Sequence, residues 1–239
     1  MRAYRGKKIA LIFQEPGRSF DPLQSIGSVF FETFRNSRPD ISREEADRRA
    51  VELLEEVGLP DPQSRLKNYP HQFSGGQLQR IGIALALAQD CQLLIADEPT
   101  TALDVTIQAQ IVALLSDLRR KRHLSIIFIS HNIDLVAGLC DRMVVMYGGL
   151  IMEEGPSDQI MSRARHPYTQ ALLASSPRFG THYSRERLTA IPGRVTDPAN
   201  PEPGCPFAPR CQFAKDCCRL PGASCYRTRE AGDGAGKES

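Results

Sequence analysis

The sequence has almost no excess of charge of either sign: 30 Lys and Arg stand against 28 Asp and Glu, a formal net charge of +2. So small an imbalance gives no reason to expect a polyanion, and a nucleic-acid partner is not expected. Long hydrophobic runs are also missing. The longest clean apolar stretches, such as Ile83 to Ala88, fall far short of the ~18 residues needed to cross a bilayer. Behind the basic Met1, Arg2, Lys7 and Lys8 the apolar segment Ile9 to Phe13 is too short for a signal-peptide core, so a cytosolic chain is expected. No internal repeat is visible. What remains is ordinary globular material: 41% hydrophobic and 24% charged residues argue against wholesale disorder, and 239 residues suffice for one substantial core plus an appendage.

Seven cysteines are unevenly spread. Cys91 and Cys140 lie in apolar segments, where a reduced buried thiol is expected. Cys205, Cys211, Cys217, Cys218 and Cys225 crowd into the last part of the chain, and in a cytosolic protein such a group is more often metal-binding than disulfide-bonded.

Along the chain, apolar strands alternate with helices. Lys8 to Phe13 reads as a buried strand running into a Gln-Glu-Pro break. Ser42 to Gly58 reads as an amphipathic helix, with a capping box from Ser42 and Glu45, apolar residues at 46, 50, 53, 54 and 57, and Gly58 as the stop. Ser74 to Gln89 is apolar nearly all round and predicts a buried helix. Gln92 to Ala96 predicts a strand, positions 107, 111, 114, 115 and 118 mark another helix, and Ser125 to Ile129 a further buried strand. Arg142 to Tyr147, Gly148-Gly149 and Leu150 to Glu153 read as a hairpin. The alternation indicates an α/β fold with a parallel sheet covered on both faces. Beyond about Gly180, repeated prolines leave little room for regular elements.

The residues suited to chemistry stand where these strands end, which is where open α/β sheets hold ligands. Leu93 to Glu98 has the form of a Walker B strand: Asp97 is placed to hold Mg²⁺ and Glu98 to polarise an attacking water. Alone, such a strand end is equally well a solvated turn. Ahead of it, Ser74-Gly75-Gly76-Gln77 sets a hydroxyl and two residues without side chains at a helix N-terminus, where amides and dipole favour a phosphate. Gln14 ends the first strand, Thr101-Ala102-Leu103-Asp104 follows the acidic pair, and His131 ends the next strand, where a neutral imidazole can hydrogen-bond a γ-phosphate or the water.

In that order the set resembles the nucleotide-binding subunit of ABC transporters, over roughly Lys8 to Gly155. The wording Phe13-Gln14-Glu15-Pro16, Tyr69 to Ser74 and Asp97 to Asp104, with His166-Pro167-Tyr168-Thr169 and Gly204 to Cys211 in the tail, is similar to the oligopeptide/dipeptide (nickel) importer branch. The resemblance implies a P-loop-type ABC ATPase core with a parallel sheet and a helical subdomain, plus a small Cys-rich irregular tail. The expected division is 1–155 for the partial ATPase domain, with the helical subdomain at about 16–90, and 156–239 for the extension. It further implies ATP and Mg²⁺ as ligands, Glu98 and His131 as catalytic residues, and Gln14, Ser74, Gly75, Gly76, Gln77, Asp97 and Asp104 as nucleotide-binding residues, with Gln14 and Asp97 on Mg²⁺. The implied partners are a second ATPase subunit, identical or sibling, two transmembrane permease subunits and, indirectly, an extracytoplasmic solute-binding protein. The implied location is peripheral, on the cytoplasmic face of the membrane. A soluble ABC ATPase outside transport, or a catalytically impaired half-site partner in a heterodimer, are the alternatives.

The family also needs G-x-x-x-x-G-K-[ST] to cradle phosphates. These 239 residues do not contain it; Gly6-Lys7-Lys8 lacks the first Gly and the Ser/Thr. An N-terminal truncation is therefore expected, from a fragment, a wrongly assigned start or a decayed gene. In the tail, Cys205, Cys211, Cys218 and Cys225 are spaced C-x5-C-x6-C-x6-C. Four thiolates suit a tetrahedral zinc or a cubane cluster, and the lack of C-x2-C pairs disfavours zinc. The resemblance implies a [4Fe–4S] cluster on these four, with Zn²⁺ as the alternative, and Cys217 as another third ligand. Cys225 is the least secure of the set.

Overall fold

The computed structural model describes residues 6, 8–176, 190–195, 197, 199 and 202–221. The chain divides into two compact units, residues 1–131 and 132–239.

In the first unit, β1 (Ile9–Ile12), β2 (Leu93–Asp97) and β3 (Ser125–Ile129) form a parallel sheet in the order β1-β2-β3. The register sets Ile12 beside Ala96 and Asp97 beside Ile129, so the strands finish level at their carboxyl ends. Pleating sends alternate side chains to opposite faces. Ala10, Ile12, Leu94, Ala96 and Phe128 turn into the core, whereas Leu11, Ile127 and Ile129 keep 43%, 49% and 46% of their surface exposed. A sheet covered on both faces is thus realised on one face among the described residues. β3 in particular is not a buried strand, since Phe128 is its one buried residue. A continuous apolar run records what a strand can bury, and does not say that both sides are covered.

The connection from β1 to β2 is helical: α1 (Pro16–Ser19), α2 (Ile26–Ser37), α3 (Arg43–Glu56), α4 (Pro62–Arg65), a 3-10 turn at Pro70–Gln72 and α5 (Gly75–Leu87). Ile26, Phe30 and Phe34 of α2 are buried, as are Ala46, Ala50, Leu53 and Leu54 of α3. These two helices pack together, α3 packs on α5, and α5 on β1. Ser42 accepts the Glu45 amide at 3.2 Å, but the Glu45 carboxylate goes to Arg49 at 3.0 Å. The cap is therefore one-way, where a reciprocal box was expected. Gly58 ends the segment in a left-handed turn, φ +70°. From β2 to β3 runs α6 (Val105–Arg122), which buries Ile111, Leu115 and Leu118. Its last turn reaches α3 through Arg122, bidentate on Glu56 at 2.9 and 2.5 Å.

The second unit holds α7 (Ile133–Leu139), the antiparallel hairpin β4 (Arg142–Tyr147) and β5 (Leu150–Pro156), α8 (Ser157–Arg163) and α9 (Pro167–Ser175). Gly148 and Gly149 both have positive φ, as a two-residue hairpin turn requires. The proline-rich tail contributes 3-10 turns at Ala208–Arg210 and Asp216–Arg219. It is nevertheless built into a core: Cys205, Phe207 and Ala208 are buried with Tyr147 and Met152, and Tyr168 packs against them. Arg210 fastens this segment, donating to the carbonyls of Ile191 and Pro192 and to the Tyr147 hydroxyl. No helix among the described residues is long and apolar enough to cross a membrane.

Candidate functional site

Three parallel strands ending level deliver three polar side chains to one place. Gln14 follows β1, Glu98 follows β2 and His131 follows β3. They meet at one oxygen, Oε2 of Glu98. Gln14 Nε2 donates to it at 3.1 Å, Thr101 Oγ1 donates at 2.7 Å, and His131 Nδ1 lies 3.4 Å away.

The turn that aims Glu98 is strained. Its φ is +44°, in the left-handed region that non-glycine residues avoid at a cost of order 1–3 kcal/mol. The surroundings hold it there. The Glu98 amide donates to Ile129 O at 2.9 Å, tying the turn to β3, and the Thr101 amide closes back on Glu98 O at 3.1 Å. Gln108 of α6 donates through Nε2 to the carbonyls of Thr100 and Leu103, both at 3.1 Å. The Thr101 hydroxyl, more than His131 and Gln14, holds the Glu98 carboxyl below the usual glutamate range, against a smaller opposing push from burial. The group is an ionised carboxylate with its donors already aligned.

Asp97 stands at the end of β2, exposed, and its carboxylate has no side-chain hydrogen bond or ion pair among the described residues. Gln14 spends its amide nitrogen on Glu98, which leaves its carbonyl oxygen as an acceptor. A carboxylate and an amide carbonyl are the hard oxygen donors Mg²⁺ prefers, and that ion characteristically takes few protein ligands and completes its shell with phosphate and water. The donor set fits. His131 is largely exposed, its side chain at 74%.

A second locus lies at the N-terminus of α5. Ser74 caps the helix: its Oγ accepts the Gln77 amide at 3.3 Å, and the Gln77 side-chain oxygen accepts the Ser74 amide at 3.0 Å. Ser74 and Gly75 are exposed. Asp104 likewise caps α6, its Oδ1 accepting the Ile107 amide at 2.9 Å. The two caps adjoin: a Cβ placed on Gly75 would lie 3.4 Å from Leu103 and one on Gly76 2.9 Å from Ile107. The structure therefore brings Gln14, Glu98 and His131 together, and separately joins Ser74 to Gln77 with the Asp104 loop. Asp104 serves as a cap, and among the described residues no hydrogen bond joins it to Glu98. Thr101, which the sequence places only in the stretch leading to Asp104, is a further side chain that holds Glu98; its signal is a hydroxyl three residues after the glutamate. Arg80 ties α5 to the Val57 carbonyl at 2.6 Å and to Gln110 at 3.1 Å.

In the tail, Cys205, Cys211 and Cys218 share one core, with the Cys205 amide donating to Cys218 O at 2.8 Å, while Cys217 is exposed. Burial, with a smaller push from the neighbouring Cys205 and Cys218 thiols, raises the Cys211 thiol above its ordinary value. Among the described residues no group of three or more His, Cys, Asp or Glu is disposed to hold a metal ion. Cys225 lies outside the described residues. The residues described do not by themselves fit an iron–sulfur cluster or a structural zinc.

Comparison with known proteins agrees with the order of these loops. Residues 1–101 match the ABC transporter family, and residues 152–218 match the oligopeptide/dipeptide transporter C-terminal region. The chain is 51% identical over 215 residues to the oligopeptide transport ATP-binding protein OppD of Bacillus subtilis, covering 90% of this chain and 59% of the relative. It is 49% identical over 222 residues to a putative peptide import ATP-binding protein of Brucella melitensis, covering 91% and 65%. It thus spans about three fifths of the length of these relatives. Among solved structures, the ATP-binding cassette MJ0796 bound to ADP and Pi is similar at TM-score 0.56 and 29% identity, over 64% of each chain. CbiO1 of Clostridium perfringens, part of the ABC transporter complex cbiONQ, is similar at TM-score 0.57 and 27% identity, over 65% of this chain and 60% of that one. The level strand ends and the capped glycine turn agree with the two family matches: the chain is similar to the ABC transporter ATP-binding proteins of the type with an oligopeptide/dipeptide C-terminal region.

Proposed function

We propose that the chain serves as an ATP-binding and ATP-hydrolysing energy-coupling subunit of an importer for peptides or a related solute. The observation that carries this is the convergence of Gln14, Thr101 and His131 on one oxygen of Glu98 at the carboxyl ends of three parallel strands. Glu98 would orient and polarise the water that attacks the γ-phosphate, and His131 would hold that water or the phosphate from the opposite side. Phosphoryl transfer asks little more of a protein than positioning and charge stabilisation, so an ionised, pre-aligned carboxylate suits the task better than a strong base. Mg²⁺ held by Asp97 and Gln14 would neutralise charge on the phosphate oxygens. The Ser74-to-Gln77 turn, exposed at Ser74 and Gly75, and the Asp104 loop would face the nucleotide of a second ATPase subunit, identical or sibling.

Division of labour follows the chain: residues 1–155 bind and hydrolyse, with the helical stretch at about 16–90 engaging two transmembrane permease subunits, and residues 156–239 form the extension. The subunit would sit peripherally on the cytoplasmic face of the membrane, beneath permeases fed by an extracytoplasmic solute-binding protein. A [4Fe–4S] cluster or Zn²⁺ on Cys205, Cys211, Cys218 and Cys225 is tested by metal analysis after anaerobic purification: stoichiometric iron and sulfide, or zinc, supports it, and metal-free protein ends it.

Because these 239 residues hold no phosphate cradle, the purified chain is expected to hydrolyse ATP negligibly by itself. Joined to a segment supplying G-x-x-x-x-G-K-[ST], it should turn over ATP, and Glu98→Gln should then lower turnover by about 10²-fold or more while nucleotide stays bound. Turnover unaffected by Glu98→Gln would remove Glu98 from the reaction.

A further inference from the structure

Gly76 and Ile107 meet more closely than a side chain on residue 76 would permit. A Cβ there would stand 2.9 Å from Ile107 Cγ2, inside any normal carbon–carbon contact. Ile107 has little room to yield. It is the third residue of α6, where a β-branched side chain has one strongly preferred χ1, so the Cγ2 methyl cannot swing aside as the end of a long chain could. Its own amide is pinned by Asp104 Oδ1 at 2.9 Å. On the other side, residue 76 is held by the reciprocal Ser74–Gln77 cap. Beside this contact Gly75 meets Leu103 at 3.4 Å from its would-be Cβ. Two helix N-termini, each with its own cap, are thus keyed together through a glycine and a methyl group.

We propose that Ile107 is a positioning residue: its Cγ2 methyl, seated on Gly76, locks the Ser74-to-Gln77 turn to the Asp104 loop so that both present to the partner's nucleotide as one rigid piece. The inference rests on the reading of that turn as a nucleotide-facing element. It assigns Gly76 a reason besides ligand approach, namely the close packing of α5 on α6. An added methyl at residue 76 would displace the turn from the loop. Shortening Ile107 would give the space back.

The experiment compares wild type, Gly76→Ala, Ile107→Ala and the double variant of the full 239-residue chain. Two quantities are read: melting temperature, and ATP-dependent association with a cassette subunit that carries its own phosphate cradle, measured by light scattering. Gly76→Ala should weaken association about tenfold and lower the melting temperature, as overpacking does. Adding Ile107→Ala should restore association to within about threefold of wild type and recover most of the melting temperature. A double variant that melts like wild type yet associates as poorly as Gly76→Ala overturns the positioning role, since residue 76 would then be bare for the ligand. Ser74→Arg serves as a separate control. If neither Ser74→Arg nor Gly76→Ala changes association, the nucleotide reading of the turn has failed; strictly additive losses in melting temperature then overturn the packing claim as well.

Discussion

Glu98 illustrates how a single side chain is prepared by its neighbours. Its left-handed backbone costs energy, and the Ile129 carbonyl, the Thr101 turn and the Gln108 amide hold it in place. The Thr101 hydroxyl is the foremost cause of its lowered pKa. A folded-state value below the unfolded one contributes stability in full above the ordinary glutamate value, and this is lost as pH falls through the folded value. Thr101→Val should therefore move the Glu98 titration, followed by carboxyl-carbon NMR, upward toward the ordinary value; an unmoved titration would contradict the assigned cause. His166 is a second prepared residue. It is 1% exposed, burial lowers its value, and its Nδ1 caps α9 by accepting the Tyr168 amide at 3.0 Å. The neutral imidazole is favoured in the fold, so stability is full above the ordinary histidine value and falls as pH drops below it. His166→Asn keeps an acceptor at the cap without a titrating group, and should flatten the melting-temperature profile between about pH 7 and 5.5. An equally steep profile in the variant would assign the acid sensitivity elsewhere.

Elements show where pattern suffices and where it does not. The helix read from Ser42 to Gly58 is α3, because the cap, the apolar spacing and the glycine stop are all local signals. The strand at Gln92 to Ala96 is β2, shifted by one residue. α2 was missed although Ile26, Phe30 and Phe34 recur at helical spacing, their signal diluted by Gly27 and the flanking serines. Burial was less legible than type: β3 reads as a fully apolar strand, yet Ile127 and Ile129 stay about half exposed while Phe128 does not. Substitution should report that asymmetry. Phe128→Ala should cost about 3–5 kcal/mol and Leu54→Ala of α3 about 2–5 kcal/mol, whereas Ile127→Thr should cost about 1 kcal/mol or less, all by denaturant unfolding. Equal losses at positions 127 and 128 would mean that the exposed face is covered in solution.

At the scale of the whole molecule, the set Gln14, Glu98 and His131 could be read from the sequence because each follows the end of a strand, and parallel strands in register align their ends. The hold of Thr101 on Glu98 was not legible, because it depends on how the backbone turns after β2. The tail escaped for the opposite reason. Proline density concealed a core in which Tyr147, Tyr168 and Phe207 pack rings at 4.7–5.4 Å, and in which Glu153 accepts the amides of Arg165 and His166. Those contacts join segments far apart in the chain, which no local pattern records.

The central claim is that the Ser74-to-Gln77 turn completes a nucleotide site on another subunit. Its most direct measurement is ATP turnover by the purified chain mixed with a cassette subunit that supplies the phosphate cradle, each also assayed alone. The account predicts background turnover from this chain alone, a rise on mixing beyond the sum of the parts, and loss of that rise with Ser74→Arg here. Full turnover by the unmixed chain, or a rise on mixing that Ser74→Arg leaves intact, would contradict it.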